Sequence, residues 1–545
     1  KHLELTTNIN YANTVRTGQI DDGYSSQSTG SFNQWFHRDL DMGIMKELKD
    51  LRTPEGWYAS WNKANPNSFD PASPRNFYAG NYWYNFYSFY DMMSLVNNRD
   101  RLFGDIALRY KINKDISLKA TYRKQQNNIW YEDKYSSDLK ESATQTTGNC
   151  PECFGYYATG NTYSNRENLE FIGTYNKKIG DISVDGFVGS DFFKWTSKSN
   201  EGNTNQGLSV PSLYTLANSV NTASITNART NEAYNAVFAK ASVGYKNFVF
   251  LDGTIRKDWF STLNPENNGV ISKSLGFSFV FSDFIKESLP WMSLGKIRGS
   301  WGEIPKALGT TNETFGAYRY PGMAYGVGQF KWGSNFLMGT PDQVVDPNIR
   351  GSVASQKEVG LDLEFLKGKY GLSFTYWDGS EIGFPYALTV NGASGFSSIL
   401  TNIGKITKQG IEIKLNAEIL NLKNLKWNVT ATYADLIKND VVELSKEYGV
   451  TQTSSQGNVW GTTMPYLLHQ EGKRWGQIFG NGAKRINGVP VLNSDGTFVN
   501  DPNVNFGSVV PRYTGGLQNS FSVFKNFIVN ANIDYQFGGK FVSLS

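Results

Sequence analysis

Apolar and polar residues alternate strictly along many short segments of this chain, and most of these segments come in pairs joined by short turns. In one pair, Ile411, Ile413 and Leu415 alternate with Glu412 and Lys414. A period of two with one apolar face indicates a β-strand with one side in an apolar environment and the other exposed to water. Long polar stretches separate the pairs. This arrangement is typical of an antiparallel sheet, and it constrains the fold more than any other feature of the sequence.

The same hairpin pattern recurs from one end of the chain to the other. Its turns are rich in Lys, Asn, Gly and Asp, the residues that short turns require. Six pairs and three single strands, at 2–13, 269–284 and 294–304, predict fifteen strands in all. The predicted pairs are 102–110 with 116–122, 169–175 with 182–188, 237–243 with 249–255, 359–365 with 370–376, 411–419 with 425–433, and 517–523 with 527–535.

The order of short and long connections tests this interpretation. If the strand at 2–13 runs outward, every short turn falls on one side of the sheet. The long stretches 15–100, 128–165, 198–231, 305–354 and 440–511 all fall on the other side. Outer-membrane β-barrels have short periplasmic turns and long extracellular loops, so we predict an all-β fold, a transmembrane antiparallel β-barrel. A soluble β-sandwich also alternates, but loops this long on one side only are uncommon in compact domains.

Composition agrees with a barrel. Hydrophobic residues make up 39% of the chain, and the sequence has no apolar run of about 20 residues that could form a membrane-spanning helix. A barrel tolerates such a composition because only every second strand residue meets lipid. The net charge of +4 gives no reason to expect a nucleic-acid partner. Several aromatic residues at strand ends match the interfacial girdles of barrels; they are Trp259, Trp301, Tyr376, Trp377 and Phe537.

The domain organisation follows from the two ends and the strand count. The chain begins inside a strand pattern and ends just after one, and no shift in composition divides it. An open barrel edge would leave backbone groups unpaired in lipid, and single-chain bacterial barrels have even strand numbers. We therefore expect residues 1–545 to be one β-barrel domain that is incomplete at both ends.

Several segments resemble one family of outer-membrane proteins. They are residues 231–239 (NEAYNAVFA), 251–258 (LDGTIRKD), 295–302 (GKIRGSWG), 402–412 (NIGKITKQGIE), 511–517 (PRYTGGL) and 536–539 (QFGG). As a set, in this order and at this spacing, they resemble the SusC/RagA family of TonB-dependent outer-membrane transporters. The resemblance covers nearly the whole chain, although each motif alone is ordinary barrel strand.

The resemblance implies an architecture and a function. The family has a 22-stranded barrel whose lumen is closed by an N-terminal plug, and this chain would supply roughly strands five to nineteen. The plug, the TonB-contacting segment, the first strands and the last three strands would lie elsewhere. The implied function is TonB-dependent import of oligosaccharides in the bacterial outer membrane. The implied partners are outer-membrane lipid, a SusD-like surface lipoprotein as a lid, and TonB–ExbB–ExbD acting through the plug. An oligopeptide importer, and a passive porin or structural barrel, remain alternatives.

Enzyme chemistry finds little support in the sequence. The three histidines, His2, His37 and His469, form no metalloprotease motif, and the chain has no phosphate-binding loop or nucleophile elbow. Acidic pairs such as Glu167 with Glu170 are expected to be solvated or to line a lumen. We therefore expect no enzyme, no cofactor and no metal site. The family often has an Asp-rich loop before its final motifs; here residues 493–496 (NSDG) favour a type I′-like turn over a calcium site.

Cys150 and Cys153 are the two cysteines of the chain, in the order Cys-Pro-Glu-Cys. A redox-active pair would need a βαβ context, and a zinc site would need two further ligands, and neither is visible. Both residues fall in a predicted outside loop, which is an oxidising setting. We expect a local disulfide in preference to two free thiols.

The first predicted outside loop is the expected binding surface for a substrate or a partner. Aromatic faces stack on sugar rings and apolar side chains, and charged groups hydrogen-bond hydroxyl or peptide groups. Packing of the loop on itself is the alternative. Residues 30–51 also predict a short amphipathic helix, with Trp35, Leu40, Ile44 and Leu48 on one face. The candidate binding residues are Trp35, His37, Arg38, Trp57, Trp61, Trp83, Tyr84, Tyr87 and Tyr90.

Overall fold

A computed structural model gives the fold of most of the chain. It describes residues 2–18, 40–52, 58, 85–138, 155–306, 308, 326–332, 335–339, 342–455, 465–524 and 526–542. Its strands, in chain order, are β1 Leu3–Thr17, β2 Met93–Lys111, β3 Ile116–Tyr135, β4 Tyr156–Ile179, β5 Ile182–Leu208, β6 Ser219–Tyr245, β7 Val249–Phe260, β8 Gly269–Val280, β9 Met292–Pro305, β10 Gly326–Trp332, β11 Asn335–Gly339, β12 Gln343–Val345, β13 Val353–Phe365, β14 Tyr370–Thr389, β15 Ser398–Asn421, β16 Leu425–Glu443, β17 Gln452–Ser455, β18 Tyr466–Gln470, β19 Gln477–Ala483, β20 Arg485–Ile486, β21 Val489–Pro490, β22 Asn500–Ser508, β23 Tyr513–Val523 and β24 Phe527–Phe537.

One large antiparallel sheet dominates the described structure. It runs β1 to β9, then β13 to β16, then β23 and β24, so each of these fifteen strands pairs with its neighbours in chain order. The short strand β12 joins the same sheet by pairing in parallel with β15. The fifteen predicted strands are confirmed as the strands of this sheet, and the described residues contain nine further, shorter strands that the sequence did not predict. We call the end of the sheet that carries the short turns the inner end, and the opposite end the outer end.

The short turns form where the sequence supplies residues that tolerate tight backbone angles. Between β6 and β7, Lys246 and Asn247 have φ of 48° and 63°, in the left-handed region that asparagine visits more readily than most residues. Between β13 and β14, Gly368 has φ of 82°. The single strand predicted at 269–284 is shorter than expected, because β8 ends at Val280 and a short helix, α3 Ser282–Ile285, follows.

The register places the alternating residues as predicted. On one face of the sheet, Leu415 of β15 lies between its partners in the two neighbouring strands, Leu372 of β14 and Ala431 of β16. On the opposite face, Lys414 lies between Ser373 and Thr432. The first face, which we call the outward face, is therefore apolar, and the second, the inward face, is polar. This division is what a barrel between lipid and an aqueous lumen requires.

The strands β4, β5 and β6 are much longer than the sequence suggested. The stretches 128–165 and 198–231 were predicted to be outside loops, but much of each is strand. The strands β4, β5 and β6 contain 24, 27 and 27 residues, and Asn203 still pairs with both Ala158 and Ser224 near the outer end. Both faces of these extensions are polar, so the apolar stripe that reveals a strand is missing, while the backbone pairing continues.

Smaller elements cover the outer end. The stretch 440–511, predicted as a loop, contains a four-stranded sheet of β17, β18, β19 and β22 and a small hairpin of β20 and β21. Two further helices, α1 Met42–Glu47 and α2 Phe86–Met92, precede β2. In the amphipathic helix predicted at 30–51, Ile44 and Leu48 are exposed and Met45 is buried, so the predicted apolar face is wrong for the described part.

Within the described part of the chain, no helix combines the length and the apolar character needed to cross a membrane. Buried apolar clusters lie at the outer end of the sheet. One contains Leu263, Val270, Leu308, Ile349 and Leu400, and the other contains Tyr58, Phe89 and Met93. We call these the lateral cluster and the helical cluster.

Candidate functional site

The inward face of the sheet holds a chain of charged side chains that crosses several strands. Its centre is Arg256 on β7, whose Nη2 lies 2.7 Å from Oδ1 of Asp258 and 3.4 Å from Oδ2 of Asp191 on β5. The hydroxyl of Tyr234 on β6 donates to Asp191 at 3.1 Å. Both aspartates are buried. Because a buried carboxylate without a partner is costly, Arg256 holds this part of the face together.

The same chain of polar contacts continues toward β3. Asn168 on β4 donates through its side-chain nitrogen to Asp191 and accepts a hydrogen bond of 2.8 Å from Nη1 of Arg123. The other terminal nitrogen of Arg123 lies 2.9 Å from Oε1 of Glu170. Glu170 was expected to be solvated or to line a lumen, and its side chain does lie on the inward face, where it is ion-paired. Five strands, β3 to β7, are thus joined by charged and neutral polar side chains on one face.

A second group of charges lies farther along the sheet. Arg298 on β9 contacts Asp362 on β13 at 3.3 Å, lies 3.8 Å from Glu358, and donates to the hydroxyl of Thr375 on β14. Gly360 is opposite Arg298 in the register, and a Cβ at this glycine would lie 2.5 Å from the guanidinium carbon. The glycine therefore lets the guanidinium lie flat against the sheet.

Aromatic rings share the inward face with these charges. The rings of Phe193 and Tyr234 stack with centroids 5.0 Å apart, and Phe260 meets Tyr234 edge-on at 5.9 Å. The guanidinium carbon of Arg256 lies 5.7 Å from the Tyr234 ring and 5.4 Å from the Phe238 ring. Such stacking stabilises both partners and leaves these rings covered by protein.

Sequence reasoning missed these inward clusters as a site. The sequence signal for such a cluster is a pair of charged or aromatic residues two positions apart in a strand, and hence on the same face, as in Asp191 with Phe193 or Arg256 with Asp258. Each residue alone is ordinary lumen lining. What joins them is pairing between strands that are distant in the sequence, and the sequence does not show the register of that pairing.

Most of the candidate binding residues of the first outside loop lie outside the described residues; these are Trp35, His37, Arg38, Trp57, Trp61, Trp83 and Tyr84. Tyr87 and Tyr90 lie on α2. Tyr90 is exposed, and its ring meets that of buried Phe89 edge-on at 5.6 Å. A role of these tyrosines in binding stays a prediction.

The helix α2 itself is firmly anchored at the outer end. The side chain of Asn85 accepts a hydrogen bond from the backbone of Tyr87 at 3.0 Å and donates to the carbonyl of Met45 at 2.9 Å. It thereby caps α2 and ties it to α1, and loss of such a cap costs about 1 kcal/mol. Lys49 and Asp91 form an ion pair between the same two segments. These contacts hold α2, which carries exposed Tyr90, against α1.

Cys150 and Cys153 lie outside the described residues, so their disulfide stays a prediction. In the described part of the chain, no group of three or more His, Cys, Asp or Glu side chains is placed to hold a metal ion. The turn at 493–496 forms, with the amide of Gly496 donating to the carbonyl of Asn493 at 3.0 Å. Its predicted type is wrong, because φ is positive at Gly496 but not at Ser494 or Asp495, as in a type I turn followed by a left-handed glycine.

His469 lies in the four-stranded outer sheet. Its ring stacks on Trp475 with centroids 3.6 Å apart, and the Trp475 ring also lies nearly parallel to that of Phe384 on β14, with centroids 6.3 Å apart. The Nδ1 atom of His469 accepts a hydrogen bond from the backbone of Gly476 at 3.2 Å. Burial lowers the pKa of His469, because the charged imidazolium would lose its hydration there. In this arrangement the residue supports the packing of the outer sheet.

Comparisons with known proteins identify the family. Residues 45–545 match the family described as TonB dependent receptor-like, beta-barrel. TonB-dependent receptor P39 of Formosa agariphila is 24% identical over 315 residues, which cover 55% of this chain and 29% of that protein. TonB-dependent receptor P26 of the same organism is 22% identical over 326 residues, covering 55% and 31%. The matched region thus spans about a third of these relatives.

Solved structures show the same fold. The structure of the RagAB peptide transporter matches with a TM-score of 0.74 at 14% identity, covering 99% of this chain and 56% of that chain. The RagAB peptide importer in the open-open state matches with a TM-score of 0.72 at 15% identity, covering 99% and 55%. The predicted resemblance is confirmed, and the chain belongs to the TonB-dependent receptor-like β-barrel family, whose members are outer-membrane receptors and transporters.

Proposed function

We propose that the protein containing this chain imports an oligosaccharide across the bacterial outer membrane by a TonB-dependent mechanism. The observation that carries the proposal is the pairing of an apolar outward face with an inward face of linked charges, in a chain of this family. An aqueous lumen lined in this way suits a hydrophilic cargo. The family barrel is wide enough to need a plug, and an energised step is needed to move it.

In this proposal, residues 1–545 form one part of the barrel domain, and the plug and the remaining strands belong to other parts of the protein. TonB–ExbB–ExbD would act through the plug. Oligopeptide import by the same mechanism is the second candidate, and it is favoured by the fold match to the RagAB peptide transporter. The two candidates differ in cargo and share the energised step.

Deletion of the gene should abolish growth on the cognate glycan as sole carbon source, and removal of TonB should have the same effect. The control is growth on a small monosaccharide that enters through general porins, which should not change. Uptake that persists without TonB would favour a diffusion porin. Growth lost on peptides instead of glycans would favour the second candidate.

A SusD-like lipoprotein lid is the proposed partner at the outer end. The support is the aromatic composition of the first predicted outside loop, together with the exposure of Tyr90 on α2, which Asn85 ties to α1. Replacing Trp83 and Tyr87 by Ala should weaken lipoprotein binding or uptake, measured by co-purification and by growth, while barrel assembly stays normal. The matched control is Tyr448→Ala, an exposed tyrosine between β16 and β17. Normal binding and uptake in the double variant would contradict a role for this surface.

A further inference from the structure

The inward face also contains a cleft at β7, β8, β9, β13 and β14. It has a volume of about 470 Å³, within the range typical of ligand pockets. Its floor is made of small residues, Ser274, Gly276, Ser300 and Gly302. Larger residues form its walls, namely Asp252, Glu358, Trp377, Glu381 and Lys408. Small floor residues on adjacent strands leave room that most other positions of the sheet fill with side chains.

Trp377 is the largest side chain of the cleft. It was predicted to belong to an outward aromatic girdle together with Tyr376, but neighbouring strand residues point to opposite faces. Tyr376 pairs with outward-facing Ile411, so Trp377, which pairs with Gly410, faces inward. This correction removes Trp377 from the lipid and places it in the lumen.

The indole of Trp377 lies flat because its partner is a glycine. A Cβ at Gly410 would lie 2.6 Å from the Cζ2 atom of Trp377, which no side chain could tolerate without a shift. One face of the ring therefore rests on the backbone of β15. Among the residues that the structure describes, no other ring and no cation stacks on the indole, whereas Tyr234 and Phe238 are covered by Arg256. Trp377 thus offers an unoccupied flat aromatic surface beside a cavity.

The acidic groups of the cleft are mostly neutralised. Glu381 pairs with Lys306, lies 3.8 Å from Lys408, and accepts a hydrogen bond of 2.8 Å from Ser352. Glu358 lies 3.8 Å from Nη1 of Arg298 and accepts a hydrogen bond of 2.7 Å from the side chain of Gln356. Because these charges are already compensated, the cleft does not select for a strongly charged ligand.

Asp252 is the exception. One of its carboxylate oxygens lies 3.9 Å from the position that a Cβ of Gly276 would occupy, so the carboxylate stands over an open glycine. Within the described structure, no hydrogen bond or ion pair engages it. An ionised carboxylate is an acceptor only, and two hydroxyl donors on neighbouring carbons of a sugar ring suit it.

We infer that this cleft is a binding site for a neutral oligosaccharide, with one pyranose ring stacked on Trp377 and hydroxyl groups of a different ring of the same glycan donating to Asp252, which lies four strands, about 19 Å, away across the sheet. The weakly positive C–H groups on one face of a pyranose complement the negative face of the indole. The inference rests on the proposed import function and adds the place in the chain where the cargo is held.

The test uses the full-length transporter, purified in detergent, and a panel of neutral malto-, laminari-, xylo- and manno-oligosaccharides, with binding measured by calorimetry. We expect at least one of these glycans to bind, and Trp377→Ala to lower its affinity about ten-fold, as for a buried aromatic anchor. Trp377→Phe should lose less, because a smaller ring still stacks. Asp252→Asn should also lower the affinity, because an amide keeps only one acceptor oxygen.

Trp259→Phe is the matched control, because Trp259 lies on β7 of the same sheet but faces outward, with the same parity as Leu251 and Ile255, and does not line the cleft. It should bind like the unaltered protein, and heat-modifiable migration on gels should show that all variants assemble. Unchanged glycan affinity in Trp377→Ala, or binding of a peptide mixture with no binding of any glycan in the panel, would overturn the inference. In the first case TonB-dependent growth on a glycan would still stand, so the cleft would fail without the import function; in the second case oligosaccharide import would fail as well, and oligopeptide import would replace it.

Discussion

Leu415 and Ile349 show how differently the two ends of this sheet are stabilised. Leu415 lies on the outward face of β15 with 48% of its surface exposed, whereas Ile349 is 1% exposed in the lateral cluster at the outer end. Near the short turns, apolar side chains have lipid as their partner, and the strands are held by backbone pairing and by inward ion pairs. At the outer end, the chain builds small cores of its own, as a soluble protein does.

The lateral cluster depends on long-range contacts. The segment that carries Ile349 joins the sheet through β12, and Asp346 accepts a hydrogen bond of 2.6 Å from the hydroxyl of Thr401. The backbone of Arg350 donates to the side chain of Asn402 at 2.8 Å. These contacts hold the segment over Leu263 and Leu400, so the outer end has a fixed cover on this side.

The largest effect should come from truncating the same kind of side chain in the two regions. Ile349→Ala should cost about 2–5 kcal/mol, because it leaves a cavity in a packed cluster. Leu415→Ala should cost much less, because lipid can fill the space that the side chain leaves. Hydrogen exchange followed by mass spectrometry should show lost protection across residues 343–350 in the first variant and none in the second. Equal losses of stability would mean that the two regions do not differ in this way.

A charge on the outward face should have the next largest effect. Leu415→Lys places an ammonium group in the middle of the apolar stripe, which should cost about 2–4 kcal/mol near the bilayer midplane. Refolding into lipid vesicles, followed by urea titration, measures the loss. Lys414→Gln is the control on the inward face and should change little. If Leu415→Lys were as stable as Lys414→Gln, the assignment of the two faces would be wrong.

Alternation predicted the part of the fold that faces lipid, because one dry face leaves a period of two in the sequence. Ile411, Ile413 and Leu415 occupy the face that was predicted for them. The outer extensions of β4, β5 and β6 were missed because both of their faces carry mainly polar residues, so no apolar residue recurs at every second position. Trp377 was misplaced because strand-end aromatics were grouped by type and not by parity, although parity alone separates it from Tyr376. The inward clusters could not be predicted, since they depend on the register between strands.

The smallest effect should be a loss of stability at acid pH in the outer sheet, with no counterpart near the short turns. The pKa of His469 is lowered in the folded protein, so the unfolded chain binds a proton more readily. Stability is therefore complete above the ordinary histidine pKa of about 6.5 and decreases as the pH falls through that value. Protonation would also remove the Nδ1 acceptor that binds the Gly476 amide.

Near-ultraviolet circular dichroism between pH 8 and pH 5, roughly the window of histidine titration, should report loosening of the stack of His469 on Trp475. The matched variant His469→Phe keeps an aromatic ring against Trp475 but cannot titrate, so its spectrum should not change over this range. A spectrum that changes equally in both proteins would place the acid sensitivity elsewhere. A change confined to the unaltered protein would assign the acid sensitivity to His469 and so to the packed outer sheet, as expected for a small folded core.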